Sequence, residues 1–246
     1  MLIRWAELYE NTEVLSPIDK ETWQVLGDTC GIGPWSRVIE LASGKGALAM
    51  YLTTRFGCSV DCYDTNQEFI DYSTNRANKL GLSSKIKFTC SDVNKLLVED
   101  RAYDLGVCLG ALYIFREAGW KALTTAVKPE GYIAVSDMLC KKTPPPRELV
   151  DVFFEEEEGP GPIELEDVRS WYADRGFRIL LEKECSCRAW LEYYDLTREM
   201  LDILSKKYQG DGEREAEIKE ALREDKLVRR YREEYLGYMT FIMRKA

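Results

Sequence analysis

The stretch V-I-E-L-A-S-G-K-G occupies residues 38–46, and A-L-A-M-Y-L-T-T-R-F follows it to residue 56. The apolar run 37–42 reads as a short strand, S-G-K-G as a tight turn, and 47–56 as a helix stopped by Gly57. A strand that passes through glycines into a helix opens a βαβ unit, so a parallel sheet is expected. Working outward, the alternation continues. Strands are expected at 59–64, 85–90, 103–109, 132–137 and 177–185, and helices at 67–80, 117–127 and 165–175. A further helix is expected at 17–30, ahead of the sheet. K-K-T-P-P-P-R-E (141–148) interrupts the pattern as a stiff extended linker. The acidic run Glu155–Glu158, ending in G-P-G-P, reads as a solvated helix end or loop. Residues 188–236 read as two amphipathic helices around the turn Q-G-D-G. Leu201, Leu204 and Tyr208 share one face, as do Ile218, Leu222, Leu227, Tyr231 and Tyr235. Y-M-T-F-I-M-R (238–244) returns to a strand pattern. The fold class is therefore α/β, with a helical insertion before the last strand.

Composition narrows the chemistry. A chain of 246 residues, 45% hydrophobic and 31% charged, fits one large α/β domain with a full core. No apolar stretch approaches the roughly 20 residues that span a bilayer. The start M-L-I-R-W-A-E-L-Y-E has no signal-peptide pattern, so a cytoplasmic protein with no membrane partner is expected. There is no histidine, which excludes His-based triads, His general bases and His-ligated metals. The net charge of −9 argues against nucleic acid as the main partner. It resides entirely before residue 188, since residues 188–246 carry 13 acidic and 13 basic side chains. Eight cysteines without a C-x-x-C read as free thiols, several of them core residues of strands.

The glycine turn carries the strongest site signal. Gly44 and Gly46 let backbone approach a ligand at a helix N-terminus. Glu40 ends the preceding strand. About 20 residues on, V-D-C-Y-D-T-N places Asp64 at the end of the second strand, where an acid can accept two hydrogen bonds from a ribose diol. C-S-D-V places Asp92 at the end of the third. All three acids fall on the binding side of an open α/β sheet. G-K-G-A-L-A (44–49) also matches the G-x-G-x-x-A dinucleotide fingerprint. Three features favour S-adenosylmethionine over NAD. Glu40 would repel a pyrophosphate but suits a methionine amino group, directly or through water. Asp92 suits an adenine amino group. No Tyr is followed four residues later by Lys, the pair that many short-chain dehydrogenases use.

On these motifs the chain resembles the class I S-adenosylmethionine-dependent methyltransferases. V-I-E-L-A-S-G-K-G is similar to that family's first motif, Y-D-T-N to its ribose-binding acid and C-S-D-V to its adenine-binding acid. Y-D-L-G-V-C-L-G (103–110) resembles the fourth-strand motif, and L-T-T-A-V-K-P-E-G-Y-I-A-V (123–135) the strand after it. The likeness covers roughly residues 16–185 plus the terminal strand. It implies a Rossmann-like, doubly wound, seven-stranded sheet with an antiparallel last strand. One domain is implied, with a cofactor-binding core at 16–187, a helical cap at 188–236 and the last strand at 237–246. The cofactor-binding positions implied are Glu40, Ala42, Ser43, Gly44 and Gly46 at the first turn. Asp64, Thr65 and Asn66 follow at the second strand, Asp92 and Val93 at the third, and Leu109 and Gly110 at the fourth. The chain departs from the family at Ala42-Ser43, where a glycine and a small residue are usual. C-L-G-A-L-Y-I-F, W-L-E-Y-Y and Y-L-G-Y-M-T-F further resemble a bacterial and archaeal methyltransferase subgroup that carries no substrate assignment.

Methyl transfer from a sulfonium is an in-line displacement, so the protein mainly orients the reactants and excludes water. If the acceptor must lose a proton, the candidates are Asp137 at the fifth strand end, Tyr113 after the fourth strand, and Tyr193 or Tyr194 in the insertion. Trp190, Tyr193, Tyr194, Tyr208, Tyr231, Tyr235 and Tyr238 either line a small acceptor pocket or form the core of a helical hairpin. A small-molecule acceptor is the principal expectation. A thiol or metalloid acceptor, bound through Cys140, Cys185 and Cys187, is an alternative. A non-catalytic sensor or scaffold is another. No metal is expected.

Overall fold

The computed structural model of the chain describes residues 3–154 and 164–245, apart from the side chains of Tyr113, Phe115, Arg116 and Phe154. The expected acidic run Glu155–Glu158 and its G-P-G-P lie outside the described residues.

A short helix α1 (Trp5–Leu8) and helix α2 (Lys20–Thr29) precede the sheet. Then come β1 (Arg37–Leu41), α3 (Ala47–Phe56), β2 (Ser59–Asp64), α4 (Gln67–Lys79), β3 (Ile86–Cys90) and β4 (Tyr103–Leu109). Next are α5 (Leu112–Ala126), β5 (Val127–Cys140), the single turn α6 (Arg147–Leu149), α7 (Leu165–Asp174) and β6 (Phe177–Glu184). The hairpin α8 (Cys187–Lys207) and α9 (Gly212–Tyr231) joins β6 to β7 (Leu236–Lys245). The strands form one seven-stranded sheet in the order β3-β2-β1-β4-β5-β7-β6. β1 to β5 are parallel, and β7 lies between β5 and β6, antiparallel to both. Strand order reverses between β1 and β4, which leaves a crevice at their C-terminal ends.

The central strands are covered on both faces. One buried cluster includes Val38, Leu52, Val60 and Leu105, and the other includes Ile39, Leu41, Leu123 and Phe241. Neighbouring residues of β1, Val38 and Ile39, thus enter opposite clusters, as the two-residue period of a strand requires. The cap hairpin has its own small core of Leu201, Leu204 and Ile218, completed by Ile3 from the N-terminal segment. Asp225, 1% exposed, ties the two cap helices together by accepting from Arg198 on α8 and Arg229 on α9, each at 2.9 Å.

Several boundaries differ from the sequence expectation for identifiable reasons. The helix expected at 17–30 begins at Lys20 because Asp19 caps it, accepting from the Thr22 N–H at 2.8 Å. Helix α5 starts five residues before expectation, and no side chain at Ala111 caps it. Residues 128–131, left between the expected helix 117–127 and strand 132–137, do not separate the two: Val127 already pairs with Tyr103, and the register shifts before Leu105 meets Tyr132. The segment is an irregularity inside a longer β5. The short helix α1 was not expected at all.

Candidate active site

The turn after β1 takes three left-handed residues within five: Ala42 (φ 53°), Gly44 (φ 52°) and Gly46 (φ 68°). That path sends the chain straight into α3, whose N-terminus no side chain caps. The two glycines serve different ends. Gly44 lines a cavity. Gly46 does not, contrary to expectation. A Cβ there would lie 2.5 Å from Phe88 Cε1, so its missing side chain lets the turn pack on β3.

The expected acids meet on that cavity. Asp64 Oδ2 accepts from the Gly44 N–H at 2.7 Å and its Oδ1 from the Asn66 N–H at 2.8 Å. The carboxylate therefore hooks the glycine turn to the end of β2, and burial raises its pKa against those N–H bonds. Asn66 caps α4 through the N–H groups of Glu68 and Phe69. Asp92 accepts from the backbone and side-chain N–H groups of Asn94, both at 2.9 Å, and the backbone bond holds its pKa below the usual carboxylate value. Glu40 is the most perturbed of the three. It is 6% exposed and accepts from the Cys62 thiol at 3.7 Å. Burial pushes its carboxyl up to about 8, and the nearby Asp64 charge adds to this. On the same lining the Ser43 hydroxyl oxygen is buried with no hydrogen-bond partner among the described residues.

These groups line one cavity of about 420 Å³. Of the positions expected to bind cofactor, Glu40, Ala42, Ser43 and Gly44 line it at the first turn. Asp64, Thr65 and Asn66 line it at the second strand, Asp92 and Val93 at the third, and Leu109 and Gly110 at the fourth. Gly46 alone stands back.

The opposite wall was missed. Residues 5–16 run across the mouth as a strap, contributing Trp5, Tyr9, Glu13, Leu15 and Ser16 to the lining, and Tyr193 of α8 joins them. Lys45, inside the S-G-K-G turn, is buried and holds the strap. Its ammonium donates to the carbonyls of Tyr9 (2.5 Å), Glu10 (3.2 Å) and Thr12 (3.0 Å). Glu13 pairs with Arg76 of α4 and accepts from the Tyr72 hydroxyl at 3.1 Å. Glu7 accepts from Lys207 at 2.5 Å and from the Tyr208 hydroxyl at 2.9 Å, which ties the strap to the cap. The Tyr9 and Tyr193 hydroxyls are 2.7 Å apart. The spacing of Trp5 and Tyr9, one helical turn apart, is the one local signal of this wall.

The catalytic expectations fare differently. Asp137 is not among the residues lining the cavity; its Oδ1 accepts from the Met138 N–H at 2.8 Å, on the part of β5 near Cys108 and Tyr172. Tyr194 does not line the cavity either. It packs against the main core, edge-on to Tyr193. The Tyr113 side chain lies outside the described residues. Of the seven cap-region aromatics only Tyr193 reaches the cavity lining. Trp190 and Tyr238 are core, and Tyr208 and Tyr231 hydrogen-bond Glu7 and Glu148. The hairpin-core reading holds for Tyr208, whereas Trp190, Tyr194, Tyr231, Tyr235 and Tyr238 pack on the main core. Cys140, Cys185 and Cys187 do not line the cavity. Cys140 donates to the Lys142 carbonyl and Cys185 to that of Pro17, while Cys187 is exposed.

A doubly wound sheet with an antiparallel seventh strand, and a cavity at its switch point, is the fold of the class I S-adenosylmethionine-dependent methyltransferases. Residues 38–131 match the family described as "Methyltransferase domain". Uncharacterized protein YjhP of Escherichia coli is 24% identical over 139 residues, 54% of each chain, so that match spans about half the relative's length. A methyltransferase from Geobacter sulfurreducens, solved in complex with S-adenosyl-L-homocysteine, superimposes with a TM-score of 0.83 at 19% identity, covering 98% of this chain and 97% of its own. One from Thiobacillus denitrificans, also solved with S-adenosyl-L-homocysteine, gives 0.84 at 19% identity over the whole of both chains.

Proposed function

We propose that the chain transfers the methyl group of S-adenosylmethionine to a small-molecule acceptor. The observation that carries this reading is the Glu40 carboxyl, buried on the cavity wall with its pKa pushed up to about 8 and no ion-pair partner among the described residues, together with the Ser43 hydroxyl, which lacks a hydrogen-bond partner among them. Such a group is costly to ionise unless a ligand pairs it. The ligand's ammonium would do so, while Asp64 accepts from its ribose hydroxyls and Asp92 from its adenine amino group. Both carboxylates keep lone pairs for this beyond their bonds inside the protein. When bound, the cofactor supplies a methyl group already activated on a sulfonium. The protein's own part is orientation and exclusion of water, which Lys45 serves by holding the strap over the mouth. At about 420 Å³ the cavity is near the small end for ligand sites, and the cofactor would fill much of it, which favours a small acceptor. In this reading residues 16–187 form the cofactor half and 188–236 the cap.

Calorimetric titration with S-adenosylmethionine, S-adenosylhomocysteine and NAD tests it. Micromolar binding of the first two and none of NAD is expected. Binding of NAD alone would overturn the reading. Binding with no transfer to any acceptor in a broad panel would replace an enzyme with a sensor.

A further inference from the structure

The charge of the cavity bears on which atom can accept the methyl group. Four carboxylates line it, Glu13, Glu40, Asp64 and Asp92, in a chain without histidine. Glu13 is paired with Arg76, and Glu40 is matched by the cofactor's ammonium in the reading above, which leaves Asp64 and Asp92. Asp64 and Asp92 are held by backbone and amide N–H groups, which fix them without cancelling their charge. A hydroxyl or thiol becomes a strong nucleophile by losing its proton. The resulting anion is disfavoured beside these carboxylates. A neutral amine already carries its lone pair, and its methylated product is a cation, which the same carboxylates favour.

The strap and cap supply the matching surface. The Trp5 and Tyr9 rings are parallel, with centroids 5.7 Å apart, and Tyr9 stacks on Tyr193 at 6.3 Å. In the Tyr9–Tyr193 pair one hydroxyl donates to the other, and oxygen lone pairs can accept an N–H. Aromatic rings also attract cations. We propose that the acceptor is a small amine seated against Trp5, Tyr9 and Tyr193, with the two tyrosines as its specificity-determining residues. This rests on the methyl-transfer reading above. The nitrogen lone pair forms the new N–C bond, and the C–S bonding pair returns to sulfur, leaving a neutral thioether. The positive charge passes to nitrogen, whose extra proton then leaves to water.

The test uses three carbon frames, phenylethyl, n-butyl and indolylethyl, each carrying an amine, a hydroxyl or a thiol. S-adenosylhomocysteine formation is followed for all nine compounds, and S-adenosylhomocysteine binding is measured on the same preparation. At least one amine is expected to react ten-fold or more faster than the alcohol and thiol of its frame. An alcohol or thiol that matches its amine overturns the proposal. So does failure of every amine while S-adenosylhomocysteine still binds. Loss of that binding takes down the methyl-transfer reading and this proposal together. Tyr193→Leu is expected to lower kcat/KM for the best amine ten-fold or more, with Tyr193→Phe losing less than three-fold and both binding S-adenosylhomocysteine within two-fold of the parent. Titration of that amine into the S-adenosylhomocysteine complex should weaken in parallel in the Leu variant. A Leu variant that loses cofactor affinity as strongly as amine affinity overturns the assignment of Tyr193.

Discussion

The cavity has two walls built by different means. The sheet-side wall comes from three strand ends and a glycine turn, and backbone N–H groups hold its carboxylates, as in the Gly44 and Asn66 bonds to Asp64. The strap-side wall comes from residues 5–16 and α8, and long side chains hold it: Lys45 to three carbonyls, Glu13 to Arg76, Glu7 to Lys207. The first is fixed by the fold itself. The second rests on long side chains, several of them exposed, so it is expected to open more readily than the sheet. In the proposed reading, the sheet-side wall would hold the cofactor and the strap-side wall the acceptor.

The sharpest way to break this comparison is to alter the two turn glycines separately. Gly44→Val is expected to abolish cofactor binding, since it adds bulk to the lining at φ 52° and crowds Leu15. Gly46→Ala should cost about 2–4 kcal/mol of stability, from its left-handed backbone and the clash with Phe88. Calorimetry and thermal unfolding on both variants separate the two roles. Asp64→Ala comes next. Losing its charged hydrogen bonds should weaken S-adenosylhomocysteine binding by about 2–4 kcal/mol. An unchanged Kd would refute the ribose assignment.

Lys45→Met tests the second wall. It leaves strap carbonyls without their donor and should cost about 1–3 kcal/mol. Hydrogen exchange is expected to rise in residues 5–13 with β1 and β4 unchanged; a uniform rise across the sheet would show that the walls are not separable. A subtler effect concerns Glu40. With its carboxyl up at about 8, it is mostly protonated in the free protein at pH 7. Pairing with a ligand ammonium ionises it, so binding should release up to one proton, read from titrations in buffers of different ionisation enthalpy. Glu40→Gln should remove that release. The folded state holds this proton more tightly than the unfolded chain, so ligand-free stability from this group is lost as pH rises from about 4.5 toward 8. The smallest expected effect is at Ala42, whose φ of 53° suits glycine. Ala42→Gly should stabilise by about 0.5–1 kcal/mol in thermal unfolding.

The same division governs what could be read from the sequence. Glu40, Asp64 and Asp92 were legible because each sits at a strand end, and strand ends follow from local hydrophobic patterns. Lys45 was not, because its partners Tyr9, Glu10 and Thr12 lie about 35 residues away, and a lysine between glycines looks like solvent filler. Tyr9 and Tyr193, 184 residues apart, meet only once the cap has docked on the strap. Asp137 shows the converse: the sequence places it at a strand end, but β5 runs on to Cys140, and Asp137 bonds the Met138 N–H and does not line the cavity.

The place of β7 has a kinetic consequence. Among the described strands, β6 has β7 as its sheet neighbour, and β7 in turn needs β5. Until β7 slots between them, β6 has no edge to join, and the α8–α9 hairpin between the two strands has no fixed anchor. The strap finds its cap partners only after that. Refolding should therefore run in order: the parallel half collapses first, β7 insertion recruits β6 and the hairpin in one late step of high contact order, and the mouth of the cavity closes last.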